Sequence, residues 1–260
     1  MYSKQTKELY HYTSLGALDG ILKNQELWFG NAQCMNDSSE SVYFFDKLKA
    51  HLCNSHPDKQ TEIEDLFNSQ LGRYENEPGY VFSLSKNNDD AAQWDRYANK
   101  CGVCIVFDRD KLIEFAKPFG FVQEVFYGES IENHQIKALL DIYLLTRNLQ
   151  WGFTTIDGLF DNAWTCSFAF KSKSFSTEAE TRVCLLPYSM IKEHVQMHYV
   201  IQDNRIREFV KVPIDPGTMI TRIVIGPGAN VDEFLMKRYL RSISDEIGNI
   251  AVERSLSSLR

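Results

Sequence analysis

The chain is predicted to fold as α+β, with mixed and antiparallel sheets flanked by helices. Three observations carry this. The chain opens on a strand–helix–strand pattern, its stretch from about 130 to 170 reads as helical, and its last third is rich in β-prone segments. These elements come in irregular order rather than as repeated βαβ units, which argues against a doubly wound parallel sheet.

Taken in order, LYHY reads as a short strand, and Thr13 or Ser14 caps a helix carrying Leu15, Leu18, Ile21 and Leu22 on one face. ELWFG is a strand. Asp37-Ser-Ser-Glu40 has the form of a capping box, and a helix follows to roughly His51. A polar helical stretch covers about 58 to 72. GYVFSLS (79–85) is a buried strand, and Asn88 or Asp89 caps a short helix holding Trp94 and Tyr97. GVCIVFD (102–108) and FVQEVFYG are further strands. The helical stretch that follows has Trp151 and Trp164 as core anchors. TRVCLLP, MHYVIQ, REFVKVPI and TRIVIG are strands, and a helix from Val231 to Ser242 separates them from a last strand in IAVERSL. Gly226-Pro227-Gly228 makes a tight turn before that helix.

The 260 residues show no repeat, low-complexity segment or Pro/Gly/Ser-rich linker, so one domain over 1–260 is expected. Apolar residues make up 43% and aromatics 13%, a composition that builds a core. No apolar run is long enough to cross a bilayer and MYSKQTKELY lacks a signal peptide's apolar stretch, so a cytoplasmic protein without membrane contact is expected. The net charge of −7 disfavours sequence-independent phosphate binding over a broad surface, while leaving room for a small basic site.

Six cysteines sit mostly among apolar residues, as buried thiols do. Cys101-Gly-Val-Cys104 has no second CxxC. His51-x-Cys53-x-x-His56 and the His194/His198 pair have metal-like spacing, but neither makes a regular four-ligand set, and no metal is assigned.

The residues best suited to chemistry are few. Strand alternation puts Leu9, His11 and Thr13 on one face, with Tyr10 and Tyr12 on the other. A histidine there can bond a ligand through either ring nitrogen; taken alone, it reads more simply as satisfied by backbone groups. Glu178, Glu180 and Arg182 recur at every second residue, which on a strand places all three on one face, opposite Thr181, Val183 and Leu185. Such a row stabilises a developing cation, though its plainest reading is a solvated ion-paired face. Ser83 and Ser85 share a strand face, and Trp94 and Tyr97 share a helix side where either ring could stack on a planar group.

Two resemblances rest on these residues. The ordered motifs Leu9-Tyr10-His11-Tyr12-Thr13, Leu27-Trp28-Phe29, Met35-Asn36-Asp37-x-x-Glu40, Phe82-Ser83-Leu84-Ser85, Trp94-x-x-Tyr97-Ala98, Gly102-Val103-x-Ile105-x-Phe107-Asp108, Glu178-x-Glu180-x-Arg182 and Ile223-x-Ile225-Gly226-Pro227 resemble a bacterial family known as a domain of unknown function. More distantly, the layout is similar to the ADP-ribosyltransferase superfamily. His11 matches the first-strand His of its His-Tyr-Glu branch, and Glu180 that branch's late Glu. Phe82-Ser83-Leu84-Ser85 and Glu178-Ala179-Glu180 look like the Ser-Thr-Ser strand and Glu-x-Glu of the Arg-Ser-Glu branch, with Leu84 where the middle Thr would stand.

The second resemblance implies an ADP-ribosyltransferase-like core and NAD as substrate. Glu180 would stabilise the ribose cation as the nicotinamide bond breaks, as carboxylates do in glycoside hydrolysis, and Glu178 would activate or position the acceptor. His11 would hold the adenosine ribose, Ser83 would support Glu180, and Arg182 would hold a phosphate or orient the carboxylates. Tyr12, Thr13, Ser85, Trp94 and Tyr97 complete the expected cofactor-binding set. The implied partner is a macromolecular acceptor, protein or nucleic acid, in a toxin or anti-phage effector with room for a regulatory protein. A variant within the enzyme class is an NAD hydrolase, with water as the acceptor, and the competing expectation is a non-catalytic nucleotide- or protein-binding module.

Overall fold

A computed structural model describes residues 6–32, 40–74, 79–128, 163–164, 166–185, 191, 193, 195–202 and 204–259. The fold is α+β: a mixed, mostly antiparallel ten-stranded sheet with flanking helices.

Strand β1 (Glu8–Thr13) runs into helix α1 (Leu15–Asn24), where the Ser14 Oγ accepts the Ala17 N–H at 3.1 Å and settles which residue caps. Leu18, Ile21 and Leu22 are buried, whereas Leu15, expected beside them, is exposed. Gln25 turns the chain through a left-handed conformation into β2 (Glu26–Asn31). Helix α2 (Glu40–Ser55) runs a turn past the expected end at His51, and a short 3₁₀ turn leads to α3 (Gln60–Tyr74). The Asp37 capping box lies outside the described residues.

Strand β3 (Tyr80–Ser85) is covered on both faces, as its nearly continuous apolar run requires. Helix α4 (Ala91–Ala98) is capped by Asp90, whose carboxylate accepts the Gln93 N–H at 3.0 Å, rather than by Asn88 or Asp89. Then come β4 (Val103–Asp108), the unanticipated α5 (Arg109–Ala116), β5 (Gly120–Glu124) and β6 (Phe126–Tyr127). Most of the expected 130–170 helix, with Trp151, lies outside the described residues. At its far end Trp164 is buried, and Phe170–Lys171 form a short strand β7 parallel to β6 instead of helix.

Beyond β7, a 3₁₀ segment (Lys173–Glu178) leads to β8 (Glu180–Leu185), β9 (Gln196–Gln202) and β10 (Arg205–Pro213). Then follow α6 (Pro216–Met219), β11 (Ile220–Ile225), α7 (Glu233–Ile243), α8 (Asp245–Gly248) and β12 (Ala251–Arg254). Helix α7 starts at Glu233 rather than Val231, because Asp232 accepts the Leu235 N–H at 2.6 Å. Among the described residues no helix is long and apolar enough to cross a membrane.

The sheet order β12-β11-β4-β1-β3-β2-β10-β9 hides a branch that matters for the site. β8 pairs with β3 along its length, from Val81↔Cys184 to Ser85↔Glu180. β1 and β2 therefore share the other edge of β3. β1 meets it only at Tyr10↔Ser85 and β2 only at Gly30↔Val81 and Asn31↔Tyr80. The two strands diverge from β3 between those points, and α1 connects them. The main core packs Leu9, Leu22, Phe29, Tyr80 and Phe107; a second cluster holds Phe44, Phe67, Trp164 and Phe170.

Candidate functional site

A cleft of about 530 Å³ opens where β1 and β2 part from β3. It is lined by α1 through Gly16, Ala17 and Gly20, whose small side chains leave room beside the strands. His11, Tyr12, Ser83, Ser85, Tyr97, Glu178 and Glu180 all line it. Thr13, Trp94 and Arg182 do not.

His11 fills the ladder gap. Its Nδ1 lies 2.9 Å from the Ser83 carbonyl, and since a carbonyl only accepts, Nδ1 carries the proton and the neutral ring keeps Nε2 as an acceptor. Burial lowers the His11 pKa, against the opposing pull of the Ser83 bond. The Ser83 hydroxyl, buried on the cleft wall, has no hydrogen-bond partner among the described residues. It does not support Glu180: the β3–β8 register sets Ser83 beside Arg182, and Ser85 beside Glu180.

The acidic row differs from the expectation of three side chains on one strand face. Glu178 ends the 3₁₀ segment and Ala179 takes a left-handed conformation (φ 45°), so the strand starts only at Glu180. The turn aims Glu178 at α4. Its Oε1 accepts from Arg96 Nη1 at 2.5 Å and from the Tyr97 hydroxyl at 2.9 Å, and its Oε2 from Lys171 Nζ at 2.9 Å. The Ser85 hydroxyl (2.8 Å) and the Gln93 amide (3.3 Å) fix its backbone carbonyl.

Glu180 is chelated by the fully buried Arg182, Nε to Oε1 at 2.7 Å and Nη2 to Oε2 at 3.2 Å, and is paired with Lys171 Nζ at 2.8 Å. Its backbone N–H donates to the Tyr127 hydroxyl at 2.8 Å. Burial raises the Glu180 carboxyl, but Arg182 and Lys171 outweigh it and hold its pKa down to about 2. Arg182 thus orients a carboxylate from below the cleft, with Nη1 also donating to the Phe168 carbonyl at 2.5 Å. It is not placed to hold a phosphate.

Of the two candidate stacking rings, Trp94 is fully buried, with its Nε1 donating to Asp89 at 2.7 Å and its ring edge-on to Tyr12. Tyr97 is the exposed one, and burial of its hydroxyl beside Glu178 pushes its pKa up to about 12, so it stays a donor. Tyr12 spends its hydroxyl inside the fold, donating to the Asn87 carbonyl at 2.8 Å and accepting from the Asp90 N–H at 3.1 Å. Thr13 ends β1 opposite Val103, away from the cleft.

Lys171, Arg96, Gln93 and Tyr127 went unrecognised in the sequence. Lys171 had one signal: a single cation closing the run SFAFK, where a lone buried charge needs a partner. Among the described residues no group of three His, Cys, Asp or Glu side chains is placed to hold a metal; His51 bonds Ser55, and His194 lies outside the described residues.

Residues 93–183 match a family described as a protein of unknown function, DUF2971. The matched segment contains Arg96, Tyr97, Lys171, Glu178 and Glu180; His11 lies outside it. Comparison with curated proteins and with solved structures gave no match.

Proposed function

We propose that the cleft binds NAD and that the chain is an ADP-ribosyltransferase-like enzyme, breaking the nicotinamide–ribose bond and passing ADP-ribose to a macromolecule. The observation that carries this reading is the meeting of His11, the exposed Tyr97 and the carboxylates of Glu178 and Glu180 in one cleft. His11 accepts a hydroxyl of the adenosine ribose through Nε2, and Tyr97 offers its ring to nicotinamide. As the bond breaks, its electron pair leaves on nicotinamide and positive charge grows on the ribose. Glu180, held rigid and charged by Arg182 and Lys171, stabilises that charge without reorganising. Glu178 is already tied by three donors, which suits positioning a substrate better than taking its proton. A toxin or anti-phage role belongs to the same proposal, and relief of cellular toxicity by Glu180→Ala is its expected sign.

One observation favours a second reading, a non-catalytic nucleotide-binding module. Three cations, Arg96, Lys171 and Arg182, already neutralise the two carboxylates. Nicotinamide release from NAD separates the two. The enzyme reading expects release by the purified protein, alone or with cell lysate, and a loss of about 100-fold or more in Glu180→Gln. Folded Glu180→Gln working at the wild-type rate overturns the assignment; tight NAD binding with no release under either condition supports the module.

A further inference from the structure

The sheet beside the cleft carries a row of side chains that this chemistry does not use. β10 alternates Arg205, Arg207, Phe209 and Lys211 on one face with Ile206, Glu208, Val210 and Val212 on the other. Its register sets Lys211 beside Trp28 and Phe209 beside Gly30 on β2, and His198 beside Phe209 on β9. The Trp28 and Phe209 rings lie 5.6 Å apart, and Lys211 Nζ sits 4.5 Å from the Trp28 ring centre. Trp28 is 39% exposed, a large aromatic surface left to solvent. Arg205 and Arg207 enter no ion pair among the described residues; Glu26 stands 3.7 Å from Lys211 at the far end of the row. On a chain of net charge −7, this is a local concentration of cations interleaved with aromatics. Trp28, Arg207 and Phe209 also line the cleft, so the row leads into it.

We propose that this strip docks single-stranded nucleic acid, with bases stacking on Trp28 and Phe209 and backbone phosphates meeting Arg205, Arg207 and Lys211. Aromatic faces beside a cationic track are how sequence-tolerant single-strand sites are built, because every base has a face to stack and every nucleotide a phosphate. A duplex keeps its bases stacked and gives the aromatic rings nothing to hold. An acidic peptide meets the cations but leaves the rings unused. That the docked strand is also the acceptor rests on the NAD reading. In that step the ribose–nicotinamide bond breaks, an oxygen or nitrogen of the nucleic acid bonds the same ribose carbon, and its proton passes to water.

The test is fluorescence anisotropy of labelled single-stranded DNA and RNA oligonucleotides of about 12 nucleotides at roughly 50 mM salt, without NAD. The wild type is expected to bind, with an affinity that falls as salt rises. Trp28→Ala is expected to weaken binding by about tenfold. Arg205→Glu is expected to weaken it and to flatten the salt dependence. Absence of binding by the folded wild type overturns the proposal. So does unchanged binding by the Trp28→Ala/Arg205→Glu double variant, or tighter binding of duplex, polyglutamate or anionic vesicles. Binding is read without NAD, so it stands or falls independently of nicotinamide release.

Discussion

Lys171 lies between the Glu178 and Glu180 carboxylates at 2.9 and 2.8 Å and is itself buried, so each of these charges depends on the others. Removing one member of a buried charge set costs more than the set contributes as a whole, because the remaining charges stay desolvated. The pH dependence follows from Glu180. Its folded-state pKa, about 2 against an ordinary 4.5, lies below the unfolded value. The stabilisation is therefore full above about pH 4.5 and is lost as the pH falls towards 2, a contribution of order 3 kcal/mol. Thermal unfolding followed from pH 6 to pH 2 should show this acid limb in the wild type and a flatter one in Glu180→Gln. An identical acid limb in both would mean that Glu180 is not held as described. The lone cation closing SFAFK signals that Lys171 needs a partner but not which one, since Glu178 and Glu180 come from a turn and a strand that only the fold brings to it.

At the level of elements, the site depends on α4 being held where Tyr97 and Arg96 reach Glu178. The Asp89 loop does this: Asp89, in a left-handed conformation at φ 50°, accepts from Trp94 Nε1 at 2.7 Å, from the Ser255 hydroxyl at 2.5 Å and from the Leu256 N–H at 2.7 Å. Asp89→Ala should cost about 2–3 kcal/mol in denaturant unfolding and weaken ligand binding in the cleft, while Asp89→Asn, which tolerates the same backbone, should cost less. Equal stability of Asp89→Ala and wild type would show that this loop does not anchor the helix. The element pattern was readable where periodicity was strong, as in β1, α1, β3, β4 and the last third. It failed where one residue's backbone decides. Ala179 adopts a left-handed conformation with no Gly or Asn to announce it, so the even spacing of Glu178, Glu180 and Arg182 read as a single strand face. Aspartates stand at both 89 and 90, and the sequence alone did not say that the second caps while the first anchors Trp94 and the C-terminal segment.

For the molecule as a whole, the α+β class was legible in the order of strand-like and helix-like segments, whereas the branch at β3 was not. A strand that pairs with β8 along one edge, and with β1 and β2 only at the two ends of the other, arises from contacts far apart in the chain. That branch makes the cleft, and it brings His11 from the first strand into the same cleft as Glu178 and Glu180 from the far side of the sequence. Gly102 shows how tightly the β1–β4 side is set, since a Cβ there would lie 2.0 Å from the Thr13 carbonyl oxygen. The measurement that tests the account most directly is a crystal structure of Glu180→Gln grown with saturating NAD. The account predicts NAD in the cleft, with the adenosine ribose at His11 Nε2, nicotinamide against Tyr97, and its ribose beside residues 178 and 180. An ordered cleft without NAD at saturation, or NAD bound elsewhere on the chain, would contradict it.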